Sequence, residues 1–100
     1  MVKHVILWQL KEEYSAGQKK KIASEIKEGL EGLYGKIDGI KEIKVYIKPL
    51  ESSNADLMLR SIFDSKEALK GYATHPLHVA VADGKVRPFT SSRVCMDFED

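Results

Sequence analysis

Val2-Lys3-His4-Val5-Ile6-Leu7-Trp8-Gln9-Leu10 is the stretch on which the reading of this 100-residue chain turns. Side chains alternate across a strand, so Val2, His4, Ile6, Trp8 and Leu10 share one face, and Lys3, Val5, Leu7 and Gln9 the other. Both faces are largely apolar. A strand of that kind lies inside a sheet that is covered on both sides.

The chain around it supplies the remaining elements. Lys11-Glu12-Glu13 ends the alternation, and Ser15 with Gln18 three residues on is a capping-box start for a helix. Ile22, Ile26, Leu30, Leu33 and Ile37 recur at three- and four-residue steps, which predicts a helix of about twenty residues with one apolar stripe. Gly29, Gly32 and Gly35 near its end either weaken it, at ~1 kcal/mol each, or admit a closely packed neighbour. Asp38-Gly39 is a turn signal. Ile40 to Leu50 alternates, with Ile43, Val45 and Ile47 against Glu42, Lys44, Tyr46 and Lys48, and Pro49 closes that strand. Glu51-Ser52-Ser53-Asn54 is a loop. Ala55 to Asp64 is a third strand, with Leu57, Leu59 and Phe63 opposed to Met58, Arg60 and Ile62. Ser65 opens a second helix. His75-Pro76 bends or restarts it, and Val79, Ala82, Val86 and Phe89 form its apolar stripe. Ser92 to Glu99 is the last strand, with Val94, Met96 and Phe98 expected inward and Arg93, Cys95 and Asp97 on the other side.

The order β-α-β-β-α-β predicts an α+β domain of the ferredoxin-like class, one domain over residues 1–100. Four antiparallel strands carry the helices on one face. The other face holds too much apolar surface to leave in water, which predicts a homodimer with sheets face to face and a barrel-like interior.

Composition narrows the functions. Sixteen Lys+Arg against fifteen Asp+Glu give a net charge of +1, without the basic excess of a nucleic-acid binder. The longest apolar run, Val5 to Trp8, falls far short of the ~20 residues of a membrane span. No signal-peptide pattern opens the chain. The single cysteine, Cys95, excludes an intrachain disulfide and fits a reducing cytoplasm, where the protein is expected. Area scaling predicts roughly 5,700 Å² of exposed surface for a folded chain of this mass.

Chemistry concentrates in Tyr72-Ala73-Thr74-His75-Pro76-Leu77-His78 and in His4. A histidine passes protons near neutral pH. A tyrosine hydroxyl beside it can hold a carbonyl oxygen or an oxyanion. His78 as base and Tyr72 as oxyanion partner would suit proton abstraction next to a carbonyl. The bland alternative has Tyr72 packed in the core and His78 and His4 satisfied locally. A metal site would draw on His4, His75 and His78 with Asp56, Asp64 or Glu67. One His-x-x-His with an internal proline falls short of a zinc pattern, so no metal and no cofactor are expected. Cys95 has no assured base beside it. The glycines at 29, 32 and 35 lie within a helix and form no phosphate loop. Lys19-Lys20-Lys21 reads as a solvated helix face.

These strings together resemble the stress-responsive A/B barrel (Dabb) domain family. Val2-Lys3-His4-Val5-Ile6-Leu7-Trp8 is similar to its opening strand. The Gly39-Ile40 turn, Phe63-Asp64-Ser65-Lys66-Glu67-Ala68-Leu69, Tyr72-x-x-His75-Pro76-x-His78 and Arg93-Val94-Cys95-Met96-Asp97-Phe98 follow in the family's order. The resemblance covers essentially the whole chain, and the His-Pro-x-His string is its most specific part. It implies a dimeric α/β barrel. Plant polyketide cyclases of this group close a ring by aldol condensation without a cofactor. Their tyrosine and histidine correspond to Tyr72 and His78, and their pocket histidine to His4. Trp8 and Met58 stand where such a pocket would be lined, and Gly29 and Gly32 where a bulkier wall is usual.

Three functional readings follow. The leading one is an uncharacterised dimeric barrel protein that binds a small apolar or carbonyl-bearing molecule, with His4, His75, Trp8 and Met58 lining the site. The second is a cofactor-free cyclase or isomerase using Tyr72 and His78. The third is a purely structural dimer with a closed cavity.

Overall fold

The computed structural model describes residues 1–100. The strands are β1 (Val2–Leu10), β2 (Ile40–Tyr46), β3 (Leu57–Phe63) and β4 (Thr90–Glu99). They form one antiparallel sheet in the order β2-β3-β1-β4. The helices are α1 (Ala16–Glu31), α2 (Lys66–Thr74) and α3 (Pro76–Val81), followed by a π-helical turn (Ala82–Val86) and a 3₁₀ turn (Arg87–Phe89). The molecule measures 38 × 27 × 18 Å, and its shortest dimension is that of one sheet with one helical layer. This is the ferredoxin-like arrangement expected from the sequence.

Local chemistry sets the helix starts. Ser15 Oγ accepts from Gln18 N at 3.2 Å, and Ser15 N donates to Gln18 Oε1 at 2.8 Å, which completes the capping box. Ser65 Oγ caps α2 by accepting from Ala68 N at 3.1 Å. His75 caps α3, with Pro76 in its first turn.

The helix ends differ from expectation. α1 stops at Glu31 with Gly32 as its cap, so Leu33 and Ile37 are buried from turns rather than from the helix. Gly35 bends the chain with a φ of +82°. Gly39 is required twice, by a φ of +92° and because a Cβ there would lie 2.6 Å from Ala68 Cβ. Gly29 serves close packing, since a Cβ there would meet Val81 Cγ1 at 3.0 Å. The expected stripe of the second helix is also shifted. Ala82 and Val86 are buried and Phe89 half-buried, but Val79 is exposed, and Val81 packs against Gly29. Val79 lies in the six-residue α3, ahead of the π turn, and it is Val81 of that helix that turns to α1. Strand β2 ends at Tyr46 instead of Leu50.

The core lies between sheet and helices. Ile22, Ile26 and Leu30 of α1 pack over Ile6, Trp8, Ile43, Val45, Leu57, Leu59 and Phe63. At the edge strand β2, Lys27 Nζ donates to Val45 O and to Glu31 Oε2, each at 2.7 Å, and Val45 N donates to Glu31 Oε2 at 2.9 Å. This clamp ties α1 to an edge that would otherwise present unpaired backbone groups. Burial alone would raise the Glu31 carboxyl, but the bonds from Lys27 and Val45 leave it below the ordinary value.

One expectation about β4 is corrected. Val94 and Met96 are 63% and 64% exposed, on the face away from the helices. The register pairs them with Leu7 and Val5, and pairs Arg93, Cys95 and Asp97 with Trp8, Ile6 and His4 on the helical side. Alternation sorts residues into two sets. The apolar set is the inward one only if the helices cover that face, and here they reach the opposite side of β4.

Candidate functional site

The β1–β4 register brings chemistry to the helical side of the sheet. His4 on β1, Tyr72 on α2 and His78 on α3 meet around a cavity of about 100 Å³, walled by apolar residues including Ile6, Trp8 and Leu59. Arg87 and Arg93 stand at the same cavity. The proline break makes this possible. Tyr72 ends one helix, and Pro76 restarts the chain so that the ring of His78 folds back to 4.3 Å from the Tyr72 ring, centre to centre, tilted 40°.

Each group is held differently. His4 is buried, with its ring edge-on to Phe63 and Tyr72 at 6.4 Å from each. Its Nδ1 donates to the Asp97 carboxylate. Tyr72 is 1% exposed, and its hydroxyl is the only buried side-chain polar atom without a hydrogen-bond partner. Burial pushes that hydroxyl well above its ordinary value, so it stays protonated and offers a hydrogen. His78 Nδ1 lies 3.1 Å from Ala73 O. A carbonyl only accepts, so Nδ1 carries the proton and Nε2 keeps a free lone pair. Burial lowers the His78 pKa below 6.5, the Ala73 carbonyl works against it, and the charges of Arg87, His4 and Arg93 add to the lowering. The result is a neutral imidazole, able to accept a proton, beside a phenol able to donate a hydrogen bond.

The six residues singled out in the sequence separate into two groups. His4, Trp8, Tyr72 and His78 line the one cavity. His75 is not on it, because its Nδ1 accepts from Leu77 N at 3.1 Å as the cap of α3. Met58 lies on the other side of the sheet, where it pairs with Leu7 and Tyr46. Two of the three carboxylates considered as ligands beside the histidines, Asp56 and Asp64, are used elsewhere. Asp56 Oδ2 accepts from Leu10 N at 2.7 Å, and Asp64 pairs with Lys41 at 3.3 Å. Sequence reading missed Arg87, Arg93 and Asp97. Arg93 and Asp97 share the alternation of Cys95, and only the pairing of β4 with β1 shows that this set faces the histidines.

The family model for the stress responsive A/B barrel domain matches residues 2–100. The chain belongs to the Dabb family. Among solved structures, this Dabb chain is similar to a dimeric protein of unknown function with a ferredoxin-like fold from Bacteroides fragilis. That match has 33% identity and a TM-score of 0.92, and covers 99% of this chain and 95% of the other. A Dabb family protein from Mesorhizobium loti aligns at 17% identity with a TM-score of 0.76, over 99% and 95% of the two chains. A hydroxynitrile lyase from Passiflora edulis shares the fold at 17% identity with a TM-score of 0.72, over 97% and 90%. No curated protein matches the chain. No helix of this Dabb chain is long and apolar enough to cross a membrane.

Proposed function

We propose that this Dabb protein works as a homodimer and binds a small carbonyl-bearing molecule in the Tyr72–His78 cavity. The observation that carries the ligand reading is the buried, unpartnered Tyr72 hydroxyl beside a neutral His78. A buried polar group without a partner costs about 1–3 kcal/mol, and a ligand carbonyl would supply the missing acceptor. The cavity, at about 100 Å³, is smaller than the roughly 300 Å³ at which pockets for drug-sized ligands begin. That favours a compact molecule over a long linear polyketide.

Dimerisation is supported by the bare sheet face and by the dimeric state given for the Bacteroides fragilis relative. The chain exposes 6376 Å², against the roughly 5,700 Å² expected for its mass. The surplus is close to the ~800 Å² that one partner contributes to a standard interface.

A small 1,3-diketone is the probe. It is expected to raise the Tm of the wild-type protein. Tyr72→Phe removes only the orphaned hydroxyl, so the unliganded variant should be as stable as wild type or up to about 1 kcal/mol more stable, while the ligand-induced rise falls away. A variant that loses stability and keeps the ligand shift would refute the reading.

A second reading, proton-transfer catalysis, is favoured by the free Nε2 of His78 next to the phenol. It predicts exchange of the diketone C–H for deuterium that His78→Gln abolishes. Binding without exchange would leave the protein a binder.

A further inference from the structure

A second cluster lies beside the cavity on two neighbouring strands. His4 and Asp97 are directly paired across β1 and β4, and Cys95 sits two residues from Asp97 on the same face. Cys95 Sγ is 3.7 Å from His4 Nδ1 and 3.5 Å from Asp97 Oδ1, and the three ligand atoms lie within 4.8 Å of one another. Sγ and Oδ1 approach the same ring nitrogen. A catalytic triad needs its nucleophile and its carboxylate on opposite ring nitrogens, so this arrangement is not one.

Convergence on one point is instead the geometry of metal ligation. With Zn–S at about 2.3 Å and Zn–N or Zn–O at about 2.0–2.1 Å, tetrahedral ligand atoms lie about 3.3–3.6 Å apart. The 3.5 Å distance from sulfur to Asp97 falls within that spacing, and the 3.7 Å distance to His4 lies just beyond it. Only the hydrogen-bonded His4–Asp97 pair must open. The histidine is more than nine-tenths buried and held from two sides by aromatic rings, so its direction is set before any ion arrives. The cavity that His4 lines also holds the unpartnered Tyr72 hydroxyl.

We propose that His4 Nδ1, Cys95 Sγ and Asp97 Oδ1 form a three-ligand site for a thiophilic divalent cation of the zinc type, with its fourth position open toward the cavity. Nitrogen, sulfur and oxygen donors together select such an ion over Mg²⁺ or Ca²⁺, which take oxygen ligands. On binding, the Cys95 thiol releases its proton to solvent and the sulfur forms the metal bond. The proton on His4 Nδ1 moves to Nε2, which frees Nδ1 as a ligand. Thiolate and carboxylate then balance the two charges of the ion. Burial and the Asp97 carboxylate push the Cys95 thiol above its ordinary value, and the neighbouring Arg93 works against them. The site does not depend on the carbonyl ligand proposed above.

Co²⁺ added to the purified full-length protein is the test. One equivalent per chain should produce a thiolate-to-cobalt charge-transfer band, bleached by one equivalent of Zn²⁺, with about one proton released per metal ion. Asp97→Asn, at an exposed position, should weaken Zn²⁺ binding by at least the roughly 10–100-fold seen on losing even an outer-shell partner. In wild-type protein, Zn²⁺ should shift the His4 Nδ1 nitrogen resonance. Absence of the charge-transfer band would overturn the site. So would unchanged Zn²⁺ affinity in Cys95→Ser or Asp97→Asn, since binding would then lie elsewhere or on the thiol alone.

Discussion

Both faces of the sheet carry apolar side chains, and the fold treats them differently. On the helical face, Ile26, Val45, Leu59 and Phe63 are almost inaccessible. On the other face, Leu7, Tyr46, Val94 and Met96 lie open, the face on which the proposed homodimer would pair. The helical face is not uniformly apolar either. Toward β4, beyond the reach of α1, it turns polar, and His4, Cys95, Asp97 and Arg93 gather beside Tyr72 and His78. The apolar face without helices suits association, and the polar end of the helix-covered face suits chemistry. Charged or reactive groups are held where a partly covered cavity allows them, and apolar ones are left where a flat, dry interface can bury them.

That contrast can be broken by substitution. Phe63→Ala, fully buried under the helices, should cost about 3–5 kcal/mol in denaturant unfolding. Its neighbour Ile62, on the opposite face, should cost about half that or less when cut to Ala. Equal costs would mean that the bare face is as tightly packed as the covered one.

Met96→Asp tests the bare face from the other direction. A carboxylate there leaves the monomer fold unstrained because the position is 64% exposed. It should convert a dimer into a folded monomer in native mass spectrometry, by placing two unpaired charges in the interface. A wild-type monomer at micromolar concentration, or a dimer indifferent to the change, would refute sheet-to-sheet pairing.

The smallest effect belongs to the polar end. The folded pKa of His78 lies below the 6.5 of the unfolded chain, so the unfolded state binds more protons between the two values. The stability associated with the neutral imidazole is therefore complete above 6.5 and is lost as pH falls through the lowered folded value. His78→Gln should flatten that part of the pH–stability curve. An unchanged curve would mean that the cavity does not desolvate the ring.

Much of this was legible in the residues. The alternation of β1, the capping box at Ser15, the Ser65 cap and the restart at Pro76 each depend on neighbours within a few positions, and each is found as read. One proline and six residues of chain bring Tyr72 and His78 together, but Tyr72 packs in the core and His78 bonds the Ala73 carbonyl, as the bland alternative expected, so the residues alone do not fix their role. The end of α1 was not, since three glycines can weaken a helix or pack it, and the choice at Gly29 rests on Val81, far along the chain. The stripe of the last helix failed at Val79, because the side of the short α3 that meets Gly29 is the one carrying Val81, again a contact far along the chain.

What the sequence by itself determined was the order of elements, the division of each strand into two sets, and the residues of the short Tyr-His string. Periodicity and capping are local physics and need no partner. What the tertiary structure alone decided was which set of β4 faces the helices. The pairing of β4 with β1 joins residues eighty or more positions apart, and the alternation within β4 is the same whichever way the strand is turned. That single choice moved Val94 and Met96 to the open face and set Asp97 and Cys95 against His4.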